Sequence, residues 1–294
     1  MITKFFKGSL LAALFFATNL LANEVAITID DFYVKSPEGD QQILDALAKH
    51  KVQAALFVAC KYLDNPMIKE RFSQWEKAGH SIANHTYSHW FYDEKGFDLF
   101  SGDVKKCHEM IKDSPAFVPL FRFPYLKGGK TAKQRDDIQD YLKKLGYKNG
   151  YVTIDASDWY VSQQLEVALR KNPKTDKTKY RDYYLKHMWD RTVYYDKLGK
   201  KHWKSPVKHT VLIHHNLLNS LFLDDLIQMY KDKGWKIISS KEAFKDPLFD
   251  EIPAVVPHGE SILWLLAKKA NDQSLRYPGE DSGFEKKEMK KLGL

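Results

Sequence analysis

The sequence predicts an α/β chain built on a parallel sheet, and three observations carry that expectation. Short apolar runs alternate with helical periods about seven times along the chain. The connections between them are short. Runs such as Val211-Leu212-Ile213 are apolar at consecutive positions, as strands covered on both faces must be.

The first strand is expected over 25–29 (VAITI), and a helical period follows over 41–50. QAALFVA, residues 53–59, is a buried strand. Asn65-Pro66 opens a helix that runs to Ala78, and Gly79 closes it. Proline suits a first turn whose N–H lacks a helical partner, and glycine suits the exit. A short strand over 81–83, a helix over 97–112 and a strand over 118–123 follow. A helix over 132–145 is closed by Gly146; a strand over 150–154 and a helix over 161–171 come next. The rhythm resumes with a strand over 209–213, a helix over 219–231, a strand over 235–238 and a short helix. Two stretches read as additions to a domain spanning 23–249. Within residues 172–208, Tyr180, Tyr184, Met188, Tyr195 and Leu198 predict an amphipathic helix over 177–198 that packs one face on the body. Residues 250–294 hold prolines, an apolar helix over 261–270 and a charged end. They are expected to wrap the body, with the last dozen residues disordered.

Of 294 residues, 44% are hydrophobic and 29% charged, an ordinary globular composition. It excludes a disordered tail, a collagen-like rod and a disulfide-rich miniprotein. Lys and Arg number 46 against 38 Asp and Glu, a formal charge of +8 spread along the chain. Nucleic-acid binders concentrate such charge on one face, so nucleic acid is not an expected partner. An anionic surface such as a cell wall is compatible. Residues 1–22 carry Lys4 and Lys7, a mostly apolar stretch from Leu10 to Leu21, and Ala22 as a small residue for cleavage. That is the secretory signal pattern, with a stretch short for a membrane span; no stable anchor is expected. A secreted chain lets disulfides persist. Cys60 and Cys107 fit a bridge or two small buried hydrophobes equally well, and their pairing stays open at this point.

Residues with chemistry gather where strands end. Asp30-Asp31 follow the first strand; two adjacent carboxylates there are costly unless something binds them, although a turn or capping pair explains them as well in isolation. His85 and His89 are four apart, which on a helical turn places both imidazoles on one side, suited to one metal. Two histidines and one aspartate leave a position open, the layout of a catalytic site. Arg122, in Phe121-Arg122-Phe123-Pro124-Tyr125, can orient a carboxylate, and the turn after Pro124 can aim a backbone N–H at an oxyanion. Asp155-Ala156-Ser157-Asp158-Trp159 ends another strand. Leu212-Ile213-His214 ends the last long one. An Asp158–His214 pair would raise the imidazole pKa and keep it a proton donor.

In this order the five segments resemble the motifs of the NodB-type polysaccharide deacetylases, carbohydrate esterase family 4: T-x-D-D, H-[ST]-x-x-H, R-x-P-Y, D-x-x-D-W and L-x-H. The chain supplies Thr28–Asp31, His85–His89, Arg122–Tyr125, Asp155–Trp159 and Leu212–His214. The resemblance spans about residues 24–245 and implies a distorted (β/α) barrel of about seven parallel strands. It implies Asp30 as general base, oriented by Arg122. Asp31, His85 and His89 would bind a divalent metal, usually zinc, with cobalt among the alternatives. The Tyr125 N–H would hold the oxyanion, and Asp158 would tune His214, the general acid. Leu212 would line the acetyl pocket and Trp159 would wall the groove.

Two departures stand out. His215 follows His214 where the family often has an acidic residue, and a register slip of one would make His215 the acid. Leu126 follows Tyr125 where many members have glycine. His80 is expected to be structural. The function implied is a secreted metal-dependent N-deacetylase of an N-acetylated glycan, peptidoglycan first. Chitin-like chains, an O-acetyl esterase acting on xylan and a non-catalytic glycan-binding module are the alternatives. No protein partner is evident. The insertion, lying between the fourth and fifth motifs, is expected to border the groove.

Overall fold

The computed structural model describes residues 22–294. The expected signal segment, apart from Ala22, lies outside the described residues. Among those described, no helix is long and apolar enough to cross a membrane.

Among the described residues seven strands form one sheet, and every strand pairing is parallel. β1 (Glu24–Asp30) is central and buried along six of its seven residues. It lies between β2 (Ala55–Val58) and β6 (Lys208–His214). Beyond β2 come β3 (Ser81–Asn84), β4 (Phe117–Phe121) and β5 (Lys148–Asn149), while β7 (Lys236–Ile237) pairs only with Glu24 and Val25. The sheet curls into a half-barrel ringed by helices, in agreement with the expected fold.

The expected strand over 150–154 divides in two. Gly150 N–H donates to the Phe121 carbonyl at 2.6 Å, whereas the Thr153 and Ile154 N–H groups reach the Thr210 carbonyl of β6 at 3.1 and 3.0 Å. This short segment therefore crosses from one sheet edge to the other and draws the curl together. Only glycine permits the crossing, because a Cβ at Gly150 would collide with the Phe57 ring.

The helices start where capping chemistry allows. α1 (Pro37–His50) begins four residues before the expected period, with the Ser36 hydroxyl accepting from Gly39 N–H and Pro37 in the first turn. Asn65 caps α2 (Pro66–Lys77), and a Thr131–Gln134 capping box opens α4 (Ala132–Lys144). α3 (Tyr92–Ile111) starts earlier than expected but breaks at Gly96, with φ 74°, so its regular period begins at Phe97. α7 (Leu217–Asp232) and the short α8 (Ser240–Ala243) flank β7.

The added segments are ordered against the body. α5 (Asp158–Lys171) leads into α6 (Lys177–His202), which packs on α5, α7 and α9 (Ile262–Lys269). Trp264 on α9 is buried and donates its indole N–H to the Arg276 carbonyl at 2.9 Å. The expected disorder of the last dozen residues is corrected: α10 (Ser282–Lys291) is a helix capped by Asp281. Glu285 and Met289, four apart, form its buried face, and the flanking lysines masked that face in the sequence. Cys60 and Cys107 form a disulfide that ties the end of β2 to α3, which resolves the pairing left open above.

Candidate active site at the carboxyl ends of the strands

Register brings the first and fifth motifs together. Asp30 on β1 pairs with His214 on β6, and Thr28 pairs with Leu212, so each pair shares a face of the sheet. Asp30 is 2% exposed. Such a carboxylate needs a partner, and Arg122, just past β4, supplies one: its Nη1 donates to Asp30 Oδ1 at 2.5 Å. The guanidinium is held in turn by Nε donating to the Gly150 carbonyl at 2.7 Å and by the Phe57 ring 3.8 Å away.

Asp31, His85 and His89 lie close enough for one ion to bridge them. His89 Nε2 is 3.2 Å and His85 Nε2 3.7 Å from Asp31 Oδ1, which is buried without a hydrogen-bond donor. His85 Nδ1 donates to the Arg122 carbonyl at 2.8 Å, so its Nε2 presents a lone pair to the cluster. Burial pushes both imidazoles down to about 4, more than the Asp30 carboxylate, joined at His85 by Asp31, restores. Both rings are neutral at physiological pH, as metal ligands must be.

The i,i+4 histidines do not sit on a helical turn, which corrects the expected local structure. Thr86 and His89 have φ of 65° and 56°. The loop is tied instead by side chains. Thr86 Oγ1 accepts from His89 N–H at 3.0 Å, and Asp103 of α3 accepts from the Tyr87 and Ser88 N–H groups at 3.1 and 2.8 Å. Asp31, Tyr125 and Leu126 are also left-handed, at 56°, 56° and 57°. Five non-glycine residues in this region around one site mark backbone held against its local preference. At Leu126 the family's glycine would adopt that conformation without cost. The Tyr125 ring lies 4.7 Å from the His89 ring and is 57% exposed, at the rim.

On the opposite side, His214 Nδ1 and Asp158 Oδ1 are 2.7 Å apart. Asp158 Oδ2 accepts from His214 N–H at 2.9 Å, Asn216 Nδ2 at 2.9 Å and Asn219 Nδ2 at 2.8 Å. Burial opposes a charge on His214, but the Asp158 carboxylate outweighs it and pushes the pKa up to about 9. Asp158 is held below its usual value, because the His214 charge and these bonds overcome its own desolvation. His215 points elsewhere, with Nε2 2.9 Å from Asp40 on α1 and its ring packed on Phe32. His80 accepts from the Ala54 N–H at 3.2 Å within the fold. Trp159 is 43% exposed beside the pair, and Leu212 is buried beneath it.

All ten residues singled out in the sequence thus gather at one end of the sheet. Asn216, Asn219 and Asp103 were not foreseen. Asn216 alone carried a local signal, as a helix-capping type directly after the fifth motif.

Residues 18–150 match the polysaccharide deacetylase family model. A peptidoglycan-N-acetylglucosamine deacetylase of Bacillus cereus is 34% identical over 141 residues, covering 46% of this chain and 46% of that protein. A chitooligosaccharide deacetylase of Rhizobium leguminosarum bv. trifolii is 26% identical over 136 residues, covering 46% of this chain and 59% of that one. The chain thus spans about half the length of the curated relatives it matches. Among solved structures, a pseudoenzyme of carbohydrate esterase family 4 from Bacillus anthracis, as a mutant with restored enzymatic activity, is similar in fold. Its TM-score is 0.53 at 21% identity, covering 76% of this chain and 68% of that one.

Proposed function

We propose that this chain, whose residues 18–150 match the polysaccharide deacetylase family model, is a NodB-type enzyme of carbohydrate esterase family 4, a secreted, metal-dependent N-deacetylase of a cell-wall glycan. The observation that carries this reading is the convergence of an Arg-held carboxylate, an Asp-His-His cluster and an Asp-held imidazole on one cleft. Secretion is supported by the pattern of residues 1–22 and by the Cys60–Cys107 bridge.

The donor set fits a divalent transition metal. Asp31 Oδ1 is buried without a hydrogen-bond donor and faces two neutral imidazoles. Zinc suits one carboxylate and two imidazole ligands. Bound there, zinc would supply Lewis acidity to the substrate carbonyl and acidify water. Asp30, fixed by Arg122, accepts the proton of the attacking water. The backbone N–H of Tyr125 donates to the developing oxyanion. His214, protonated because of Asp158, delivers a proton to the departing nitrogen. Acetate and a free amino sugar result, and neither cysteine takes part.

Peptidoglycan is the favoured substrate because the relative of 34% identity is named for it; the chitooligosaccharide relative, at 26%, supports the second choice. The test is acetate release by the full protein with zinc, from muropeptide glycans and chitooligosaccharides side by side. Release that falls by about 10³-fold in Asp30→Asn is expected, with the better substrate naming the target. No release from either glycan overturns the N-deacetylase reading, and release from acetylated xylan alone replaces it with the esterase.

A further inference from the structure

We propose that the helical insertion orients the general acid, through a hydrogen-bond chain that runs Tyr184–Asn219–Asp158–His214. This assignment rests on the deacetylase reading above. It gives positioning roles to Tyr184, in a segment expected only to border the groove, and to Asn219 on α7.

The links are short and directional. Tyr184, on α6 and fully buried, donates its hydroxyl to Asn219 Oδ1 at 2.5 Å. Asn219 Nδ2 donates to Asp158 Oδ2 at 2.8 Å and to the His214 carbonyl at 2.9 Å. Asp158 Oδ1 receives His214 Nδ1–H at 2.7 Å. The surroundings settle which way the Asn219 amide faces. Its Oδ1 could not stand against a carboxylate and a carbonyl, because three acceptors would then meet with no hydrogen among them. The amide oxygen therefore faces Tyr184, and the hydroxyl proton must point at it. Without that proton, a buried acceptor is left unsatisfied and the amide oxygen loses its partner.

A second contact comes from the same helix face, one turn along. His187 Nε2 accepts the Ser157 N–H at 3.2 Å, which fixes the turn that leads into Asp158. Further along, Arg191 pairs with Glu280 of the C-terminal extension. Glu280 also accepts from Tyr195 at 3.1 Å and Arg276 at 2.7 Å. His187, Glu280 and Glu285 have the spacing of a metal cluster. However, two guanidiniums already occupy Glu280, so the group serves as an anchor for α6 rather than a cation site. The insertion reaches the proton donor from the interior, through buried residues.

Tyr184→Phe removes one oxygen and leaves the ring packing intact. Turnover of an N-acetyl glycan is expected to fall about five- to tenfold at unchanged KM. Hydrolysis of 4-nitrophenyl acetate, whose leaving group needs no proton, should stay within about twofold. In a His214→Ala background the same change should cost nothing further on the amide. Asn219→Leu, which removes both the acceptor for Tyr184 and the donor to Asp158 without adding a charge, should reproduce the amide-selective loss. Equal losses on amide and ester, or a full further loss in the His214→Ala background, would overturn the proposal. Should the wild-type protein release no acetate at all, the deacetylase reading fails separately. The chain is then judged by the low-field His214 Nδ1–H proton resonance. A shift or broadening in Tyr184→Phe upholds the link, and an unchanged resonance overturns it.

Discussion

On the side of the cleft built from β1 to β4, charged groups are held by backbone position and by single partners. Asp30 has Arg122, and the histidine pair rides on a loop kept left-handed at Thr86 and His89. On the side built from 155–219, one carboxylate collects four hydrogen bonds from three residues, and a helix behind it fixes one of the donors. The family model covers the first side and stops at residue 150, short of the second. On the function proposed above, the two sides also have opposite tasks. Asp30, the proposed proton acceptor, is buried and meets one guanidinium, that of Arg122. Giving a proton requires His214 to stay charged, which calls for a carboxylate whose own negative charge is secured many times over. A side that depends on one partner should be brittle, and a side with shared partners should be tolerant.

That contrast is most open to breaking at Arg122. Arg122→Met keeps the volume and strands Asp30 with a buried charge. A stability loss of about 3–5 kcal/mol is expected in urea denaturation, together with loss of activity. A loss below about 1 kcal/mol would show that the first side is as tolerant as the second. The matching change on the donor side is His214→Ala. It leaves Asp158 with its backbone, Asn216 and Asn219 donors, so stability should fall by less than Arg122→Met costs. Amide turnover should nonetheless fall about 10²-fold, with an ester substrate much less affected. The smallest effect sharpens the electrostatic half of the comparison. The folded pKa of His214 is raised from 6.5 to about 9, so its contribution to stability is complete below pH 6.5 and is lost as pH rises through about 9. Chelated wild-type protein should lose stability across that window, and His214→Ala should lack that component. Identical pH profiles for the two would mean that Asp158 does not hold the imidazole charged.

The sequence made the strand-end groups legible because each follows an apolar run closely, and a parallel sheet delivers such ends to one place. Asp30 and His214 are 184 positions apart, yet the register of β1 and β6 makes them neighbours. The choice between His214 and His215 was likewise a matter of register, and His215 proved to be bonded to Asp40 on the outer side of the strand. What could not be read were the supporting side chains that lie outside the five motifs. Asn219 and Tyr184 sit on helical periods as an ordinary polar residue and an ordinary apolar one. Nothing local reveals that they face each other and Asp158. Asp103 shapes the histidine loop from a helix whose own pattern is unremarkable in this respect. The i,i+4 spacing does bring both imidazoles beside Asp31, but not on a helix, because side-chain bonds to the loop backbone replace the helical ones.

The placement of β1 also constrains how the chain can be made. It is the first strand to be synthesised, yet its longest partner, β6, is among the last. At about 5–20 residues per second, the ribosome needs roughly ten to forty seconds to supply that partner. Until then the central strand has one open edge and Asp30 has no neighbour on that side. A piece ending at residue 150 would share this condition permanently. The part of the molecule most recognisable by sequence is thus not a part that can mature first, and the domain has to fold as one late event.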